Sequence, residues 1–291
     1  MEIFRALGAL IEPPVTAEQS ERLRIARTLN LAASESDLPA DDTYTDLFLF
    51  QLYPYASVYL DAAGMMGGEA RDRIAGFLRA LGATQTQEID HIAFLLAAYA
   101  DLAAGDGDPG TVDVDPRRFK ARKALLWEHL LTWIPCWLQA LRRLGPPDYY
   151  LRWADLLEAA LRREANRLGA PGELPLHLRQ APDVASPQTG ATDNAFQGLL
   201  APVRSGMILV RNDLRRAAHD LGLGLRAGER RYVVEHLLRQ DAGSFLSWLE
   251  DEASHWARFW GGESWLGEVS IWWRRRAEEC RETWRSEEAD D

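Results

Sequence analysis

Glu88-Ile89-Asp90-His91-Ile92-Ala93-Phe94-Leu95-Leu96-Ala97-Ala98-Tyr99-Ala100-Asp101-Leu102 sets a charged tetrapeptide directly before an apolar run. Ile92, Leu95, Leu96, Tyr99 and Leu102 recur at steps of three and four, the period of a helix with one buried face. Thr84 with Gln87 fits a capping box ahead of it. This spacing predicts a buried helix over 88–102 with Glu88, Asp90 and His91 in its first turn. Acids there complement the positive end of the helix dipole. A histidine does not, because its charged form would be disfavoured. His91 therefore marks the turn as a candidate polar binding spot.

The same punctuation recurs along the chain. Thr16 with Gln19 opens a helix from about 17 to 33. Asp41 or Asp42 caps one carrying Tyr44, Leu47, Phe48 and Leu52, which Pro54 ends or kinks. The stretch 53–61 is aromatic and poorly helical, so Tyr55 and Tyr59 are expected at the surface. A helix over 69–81 stops at Gly82. Asp106 and Asp108 lie in a Gly-rich connection that lacks the rest of a calcium loop. Asp115-Pro116 starts a helix with Leu126, Leu130, Trp133, Trp137 and Leu141 at core spacing, and Pro135 is expected to kink it. Another helix follows Pro146-Pro147 and stops near Gly169. Prolines and glycines crowd 170–202, which reads as a linker. Helices are then expected over 207–221, 229–239 and 242–260, with a last one carrying Trp265, Val269, Trp272 and Trp273.

No sustained apolar–polar alternation or hairpin turn is present, so the fold class is all-α. The expected organisation is a helical core over 1–169, a linker over 170–202 and a Trp-rich helical extension over 203–291.

The chain has 291 residues, is 47% hydrophobic and 26% charged, and carries a formal net charge of -11. That balance fits a globular protein and argues against a nucleic-acid partner, which needs a basic surface. It suits a basic partner instead. No apolar run is long enough to span a bilayer, and the N-terminus lacks the features of a signal peptide. Two distant cysteines, Cys136 and Cys280, fit buried thiols in a reducing compartment. The expected location is the cytoplasm.

Three blocks resemble the TorD/DmsD-like family of redox-enzyme maturation chaperones. The first is Tyr44 and Phe48, followed by Pro54-Tyr55-Ala56-Ser57-Val58-Tyr59-Leu60-Asp61. The second is Glu88-Ile89-Asp90-His91-Ile92, and the third is Glu128-His129-Leu130-Leu131-Thr132-Trp133-Ile134-Pro135. The resemblance covers roughly 15–168. Leu95 stands where members often carry a glutamate, Tyr55 where the best-known branch has tryptophan, and residues from about 198 onward are extra relative to short members.

The resemblance implies an all-helical, TorD-like bundle that is not an enzyme. Its partner would be an apo-molybdopterin oxidoreductase catalytic subunit with an N-terminal twin-arginine signal peptide. The chaperone would hold that subunit until its cofactor is inserted, acting as a monomer or a domain-swapped dimer. The expected peptide-binding set is Tyr44, Phe48, Tyr55, Ser57, Tyr59, Glu88, Asp90, His91, His129 and Trp133. Glu88 and Asp90 would meet guanidinium groups, and the aromatic residues would line a groove for the apolar part.

Two other readings fit parts of the sequence. Glu88, Asp90, His91 and His129 around a metal would make a helical enzyme, but no second ligand pair stands at helical spacing. Residues 209–232, rich in arginine, read alternatively as a helix-turn-helix regulator. Neither a cofactor nor a metal is expected.

Overall fold

The computed structural model describes residues 2–82, 86–104, 115–184 and 192–285. Thr84 of the expected capping box, and Asp106 and Asp108, lie outside them. Among the described residues the chain forms sixteen α-helices and no strand, so the fold is all-α. It divides into two compact units. Unit 1 is Met1–Ala56 with Glu69–Glu173, and unit 2 is Ser57–Gly68 with Leu174–Asp291.

Unit 1 holds α1 (Glu2–Ile11), α2 (Gln19–Thr28), α3 (Asp41–Tyr44), most of α5 (Gly68–Ala80), α6 (Ile92–Ala103), α7 (Pro116–Ala124), α8 (Ile134–Arg143) and α9 (Asp148–Leu168). α3 continues as a π-helical segment, Thr45–Gln51, and α7 as another, Leu125–Leu130. Helix α1 is absent from the sequence expectations. It buries Phe4, Leu7, Leu10 and Ile11 and packs chiefly on α6. Arg22 closes its end by donating to the carbonyls of Ala9, Leu10 and Glu12. These are the acceptors that a helix C-terminus leaves unpaired.

The core of unit 1 is aromatic. Phe48 lies 5.8 Å from Trp137 and 5.1 Å from Tyr150, and Trp137 lies 6.0 Å from Trp153. Below it runs a buried ion pair between Arg122 of α7 and Glu164 of α9. Tyr99 of α6 joins both, donating to Glu164 Oε2 at 2.5 Å and accepting from Arg122 Nε at 3.1 Å.

Asp115 caps α7, accepting from the Arg117 backbone at 2.9 Å. Gly82 follows α5 at φ 78°, a left-handed conformation that glycine adopts at low cost. Pro135 does not kink a continuous helix. The chain turns at Leu131–Trp133, and α8 begins at Ile134 with Pro135 in its first turn. The missing N–H and fixed φ of proline suit that position.

In unit 2, α4 (Ala56–Leu60) belongs mainly to the excursion Ser57–Gly68, so the stretch 53–61 contains a full helical turn. The excursion ends tightly: a side chain at Gly64 would come within 2.8 Å of the Ala201 backbone. The remaining helices are α10 (Leu176–Arg179), α11 (Thr192–Leu200), α12 (Pro202–Ser205), α13 (Arg211–Asp220), α14 (Arg230–Gln240), α15 (Ala242–Gly262) and α16 (Glu268–Arg285). Part of the stretch read as linker is thus helical. Met207–Val210 is buried but not helical, and the expected helix there starts at Arg211. α15 and α16 pair through Trp260 and Trp273, stacked at 5.5 Å.

Candidate functional site

The site is built where two non-helical backbones meet. Ahead of α4, Tyr55 pairs with His91 in a single antiparallel bridge. The Ala56 N–H donates to the Asp90 carbonyl at 3.0 Å, and the Ile92 N–H to the Pro54 carbonyl at 2.9 Å. This bridge fixes the start of α6. The helix begins at Ile92, one residue after His91, so Glu88–Asp90 form the turn before it rather than its first turn.

His91 is the N-cap itself. Its Nδ1 accepts from the Ala93 backbone at 3.2 Å. A ring that accepts there must be neutral, with its proton on Nε2. Burial pushes its pKa down, against the opposing pull of Glu88 and Asp90. The dipole objection to a charged histidine is therefore answered by a neutral one.

Glu88 stands exposed at the mouth of α6 and accepts from the Tyr55 hydroxyl at 3.0 Å. Tyr55 is half-buried, and its pKa is pushed up to about 12 by burial and then by Glu88. Asp90 and His91 lie behind this pair, 2% and 5% exposed. Two further carboxylates, not foreseen from the sequence, share this field. Glu12, at the end of α1, is raised by desolvation, then by Glu18, with Glu88 adding to it and Arg22 opposing. The turn thus presents an acidic face edged by a phenol.

The other expected site residues fall elsewhere. Tyr44, Phe48 and Trp133 are buried in the aromatic core, as their helical spacing alone would place them. Trp133 Nε1 donates to the His129 carbonyl at 2.8 Å, and the His129 ring packs on Phe77 at 4.8 Å. Tyr59 is helical and 2% exposed, so the expectation that it would be exposed is not met. The reason is α4, which turns its ring inward. Ser57 is buried and accepts from the Gly67 N–H at 3.0 Å, a turn-closing role within the excursion. Both residues belong to unit 2. Among the described residues no group of three or more His, Cys, Asp or Glu is placed to hold a metal.

Unit 1 also has an open apolar cavity of about 340 Å³ beside the turn's helix. It is lined by Leu78, Leu81 and Gly82 after and along α5, and by Phe94, Ala97, Ala98, Asp101 and Leu102 of α6. The signal for it was legible in principle, since α6 is apolar nearly all round while only one face is buried.

Residues 16–139 match the family described as nitrate reductase delta subunit. Over 157 residues the chain is 29% identical to the chaperone protein TorD of Aeromonas salmonicida (strain A449), covering 53% of this chain and 71% of that protein. Over 141 residues it is 27% identical to the chaperone protein TorD of Vibrio vulnificus (strain YJ016), covering 46% of this chain and 65% of that protein.

Over this segment the chain is similar to the TorD-like family of maturation chaperones.

The matched segment contains all three blocks on which the resemblance rested, and with them the Tyr55–His91 bridge. Within this TorD-like chain that segment holds every expected site residue, although Ser57 and Tyr59 are structurally part of unit 2. The relatives it matches are themselves named as chaperones. No helix among the described residues is long and apolar enough to cross a membrane. The helix-turn-helix alternative meets a geometric obstacle. α13 and α14 are joined by all of 221–229, whereas that motif needs a turn of about three or four residues. Arg230 is also occupied, donating to the Leu209 carbonyl at 2.6 Å.

Proposed function

We propose that this chain is a cytoplasmic chaperone for the catalytic subunit of a molybdopterin oxidoreductase. It binds the subunit's N-terminal, twin-arginine-type region and holds the apoenzyme until cofactor insertion, ahead of export or assembly. The observation that carries the reading is Glu88, exposed and aligned by the Tyr55 hydroxyl on the bridge that starts α6. A guanidinium fork pairs best with a carboxylate whose orientation is already fixed. Asp90, Glu12 and Glu18 add to the negative field. Tyr44, Phe48, His129 and Trp133 support the turn from the core rather than touching the peptide. Kinship with proteins named as TorD chaperones agrees with this reading. No nucleic acid is involved, and the chain works as a monomer or a domain-swapped dimer.

The test is affinity capture of the tagged full chain from its source cells, with mass spectrometry of what it retains. Recovery of a molybdopterin oxidoreductase subunit, released by its own N-terminal peptide, is the expected result. Capture that this peptide does not compete places the contact elsewhere and removes the reading of the Glu88 turn.

A further inference from the structure

The connection between α13 and α14 in unit 2 is held at two places. Gln240, at the end of α14, clamps Gly224 from both sides of its backbone: Oε1 accepts from the Gly224 N–H at 2.7 Å, and Nε2 donates to the Gly224 carbonyl at 2.8 Å. A side chain at Gly224 would sit 3.1 Å from Gln240 Oε1, so glycine leaves the clamp its room. Arg211 of α13 donates to the Gly228 carbonyl at 2.7 Å. Between these fastenings lies the tip Leu225-Arg226-Ala227, all of it exposed. A loop fixed in one shape loses little freedom when a partner meets it.

The tip puts apolar and cationic groups side by side. Leu225 is 49% exposed and Tyr232 45%. Tyr232 stands beside the second fastening, its Cβ 4.0 Å from where a side chain at Gly228 would begin. The Arg231 guanidinium lies over the Tyr232 ring at 4.6 Å. Arg215 follows Arg211 by one turn on the same row of α13. Arg211, Arg215, Arg226 and Arg231 thus surround the tip, with Glu229 the carboxylate within the same connection, in a chain whose net charge is -11. Among the described residues Arg226 makes no ion pair, and the fold does not use Leu225.

We propose that the tip Leu225–Ala227, with Tyr232 and the arginines around it, is a docking surface for an acidic protein segment that carries a bulky apolar residue. Carboxylates of the partner meet Arg226 and Arg211, and its apolar side chain covers Leu225 and Tyr232. A protein fits better than DNA, because two large apolar side chains stand among the cations and the chain as a whole repels phosphates. This surface lies wholly within unit 2 and is independent of the Glu88 turn.

The test uses the full chain and a fluorescein-labelled peptide in which glutamates and aspartates alternate with leucines. A second peptide has serine in place of every leucine, and a short DNA duplex is the third probe. Leu225→Ser and Arg226→Glu change exposed side chains of the tip, and Arg258→Glu reverses an exposed cation on α15 as a control. Circular dichroism checks the fold of each. The parent should bind the leucine peptide at low salt and the serine peptide more weakly. Leu225→Ser and Arg226→Glu should each weaken the leucine peptide by about fivefold or more, while Arg258→Glu binds it as the parent does. Gln240→Ala, which releases Gly224 without touching the tip, should weaken it by a few-fold. The proposal is overturned if the parent binds neither peptide, if it binds both equally, or if the tip variants bind like the parent. DNA bound more tightly than the leucine peptide, and lost in Arg226→Glu, would overturn it in favour of a nucleic-acid face.

Discussion

Tyr55 and His91 face each other across one antiparallel bridge, their rings 4.9 Å apart and nearly perpendicular at 70°. The pairing ties a turn before α4 to the start of α6. It gives the histidine a structural duty, the N-cap bond to Ala93, and gives the tyrosine an outward one, the bond to Glu88. The block is thus a scaffold with one exposed carboxylate at its tip.

The neutral state of His91 has a measurable consequence. Its folded pKa is lowered, so the unfolded chain takes up the proton first as the medium acidifies below about 6.5. The stability it contributes is present above that pH and is lost as pH falls below it. His91→Asn keeps a capping acceptor but cannot titrate. The parent should lose more stability than this variant between about pH 7.5 and 5.5, as read from urea midpoints. His91→Ala should cost about 1 kcal/mol at the higher pH through the lost cap. Identical acid responses in the parent and His91→Asn would show that the ring is not held neutral.

Tyr55→Phe removes only the hydroxyl that aligns Glu88. It should leave the fold intact and weaken an arginine-bearing peptide by a few-fold. Glu88→Gln should weaken it by about fivefold, the upper end for an exposed ion pair. Raising the salt should shrink the difference between parent and Glu88→Gln, because an exposed charge is screened. A salt-independent difference measured by fluorescence anisotropy would point to a packing effect instead.

The Arg122–Glu164 pair is buried, and Tyr99 bonds to both partners. Glu164→Ala would remove a carboxylate partner from a guanidinium buried inside unit 1. The expected loss is about 3–5 kcal/mol, visible as a large fall in thermal midpoint. The double variant Arg122→Met with Glu164→Leu should recover much of that loss, because the cost lies in stranding one charge. A double variant no better than Glu164→Ala would contradict this.

In unit 2, Gly206 sits at φ 75° with the backbone of Arg276 and Ala277 directly against its missing side chain. Gly206→Ala should destabilise unit 2 through both strain and collision. Gly222→Ala, also at positive φ but facing open space, should be the milder change. Equal losses in circular-dichroism melts would remove the collision from the explanation.

The fold class, the stop at Gly82 and the start at Asp115 were legible because local chemistry alone decides them: missing strand periodicity, a left-handed glycine and an Asp–Pro cap. Helix α1 was not, since its apolar face is short, uncapped and becomes meaningful only against α6. Pro135 was misread because a kink and a fresh helix start look alike until the turn at Leu131–Trp133 is seen. For the site, the importance of Glu88 and Tyr55 was readable from residue type and position. The burial of Tyr59 was not, because it depends on a helical turn that aromatic and β-branched residues do not advertise. Nor was the approach of Glu12 to Glu88, which joins residues far apart in sequence.

The most direct test of the central claim is the molybdenum and pterin content of the oxidoreductase that the chain retains from its source cells. The account predicts retained enzyme that lacks the cofactor, and no retention of the mature, cofactor-loaded form. Retention of the loaded enzyme as readily as the apo form would contradict a role in maturation.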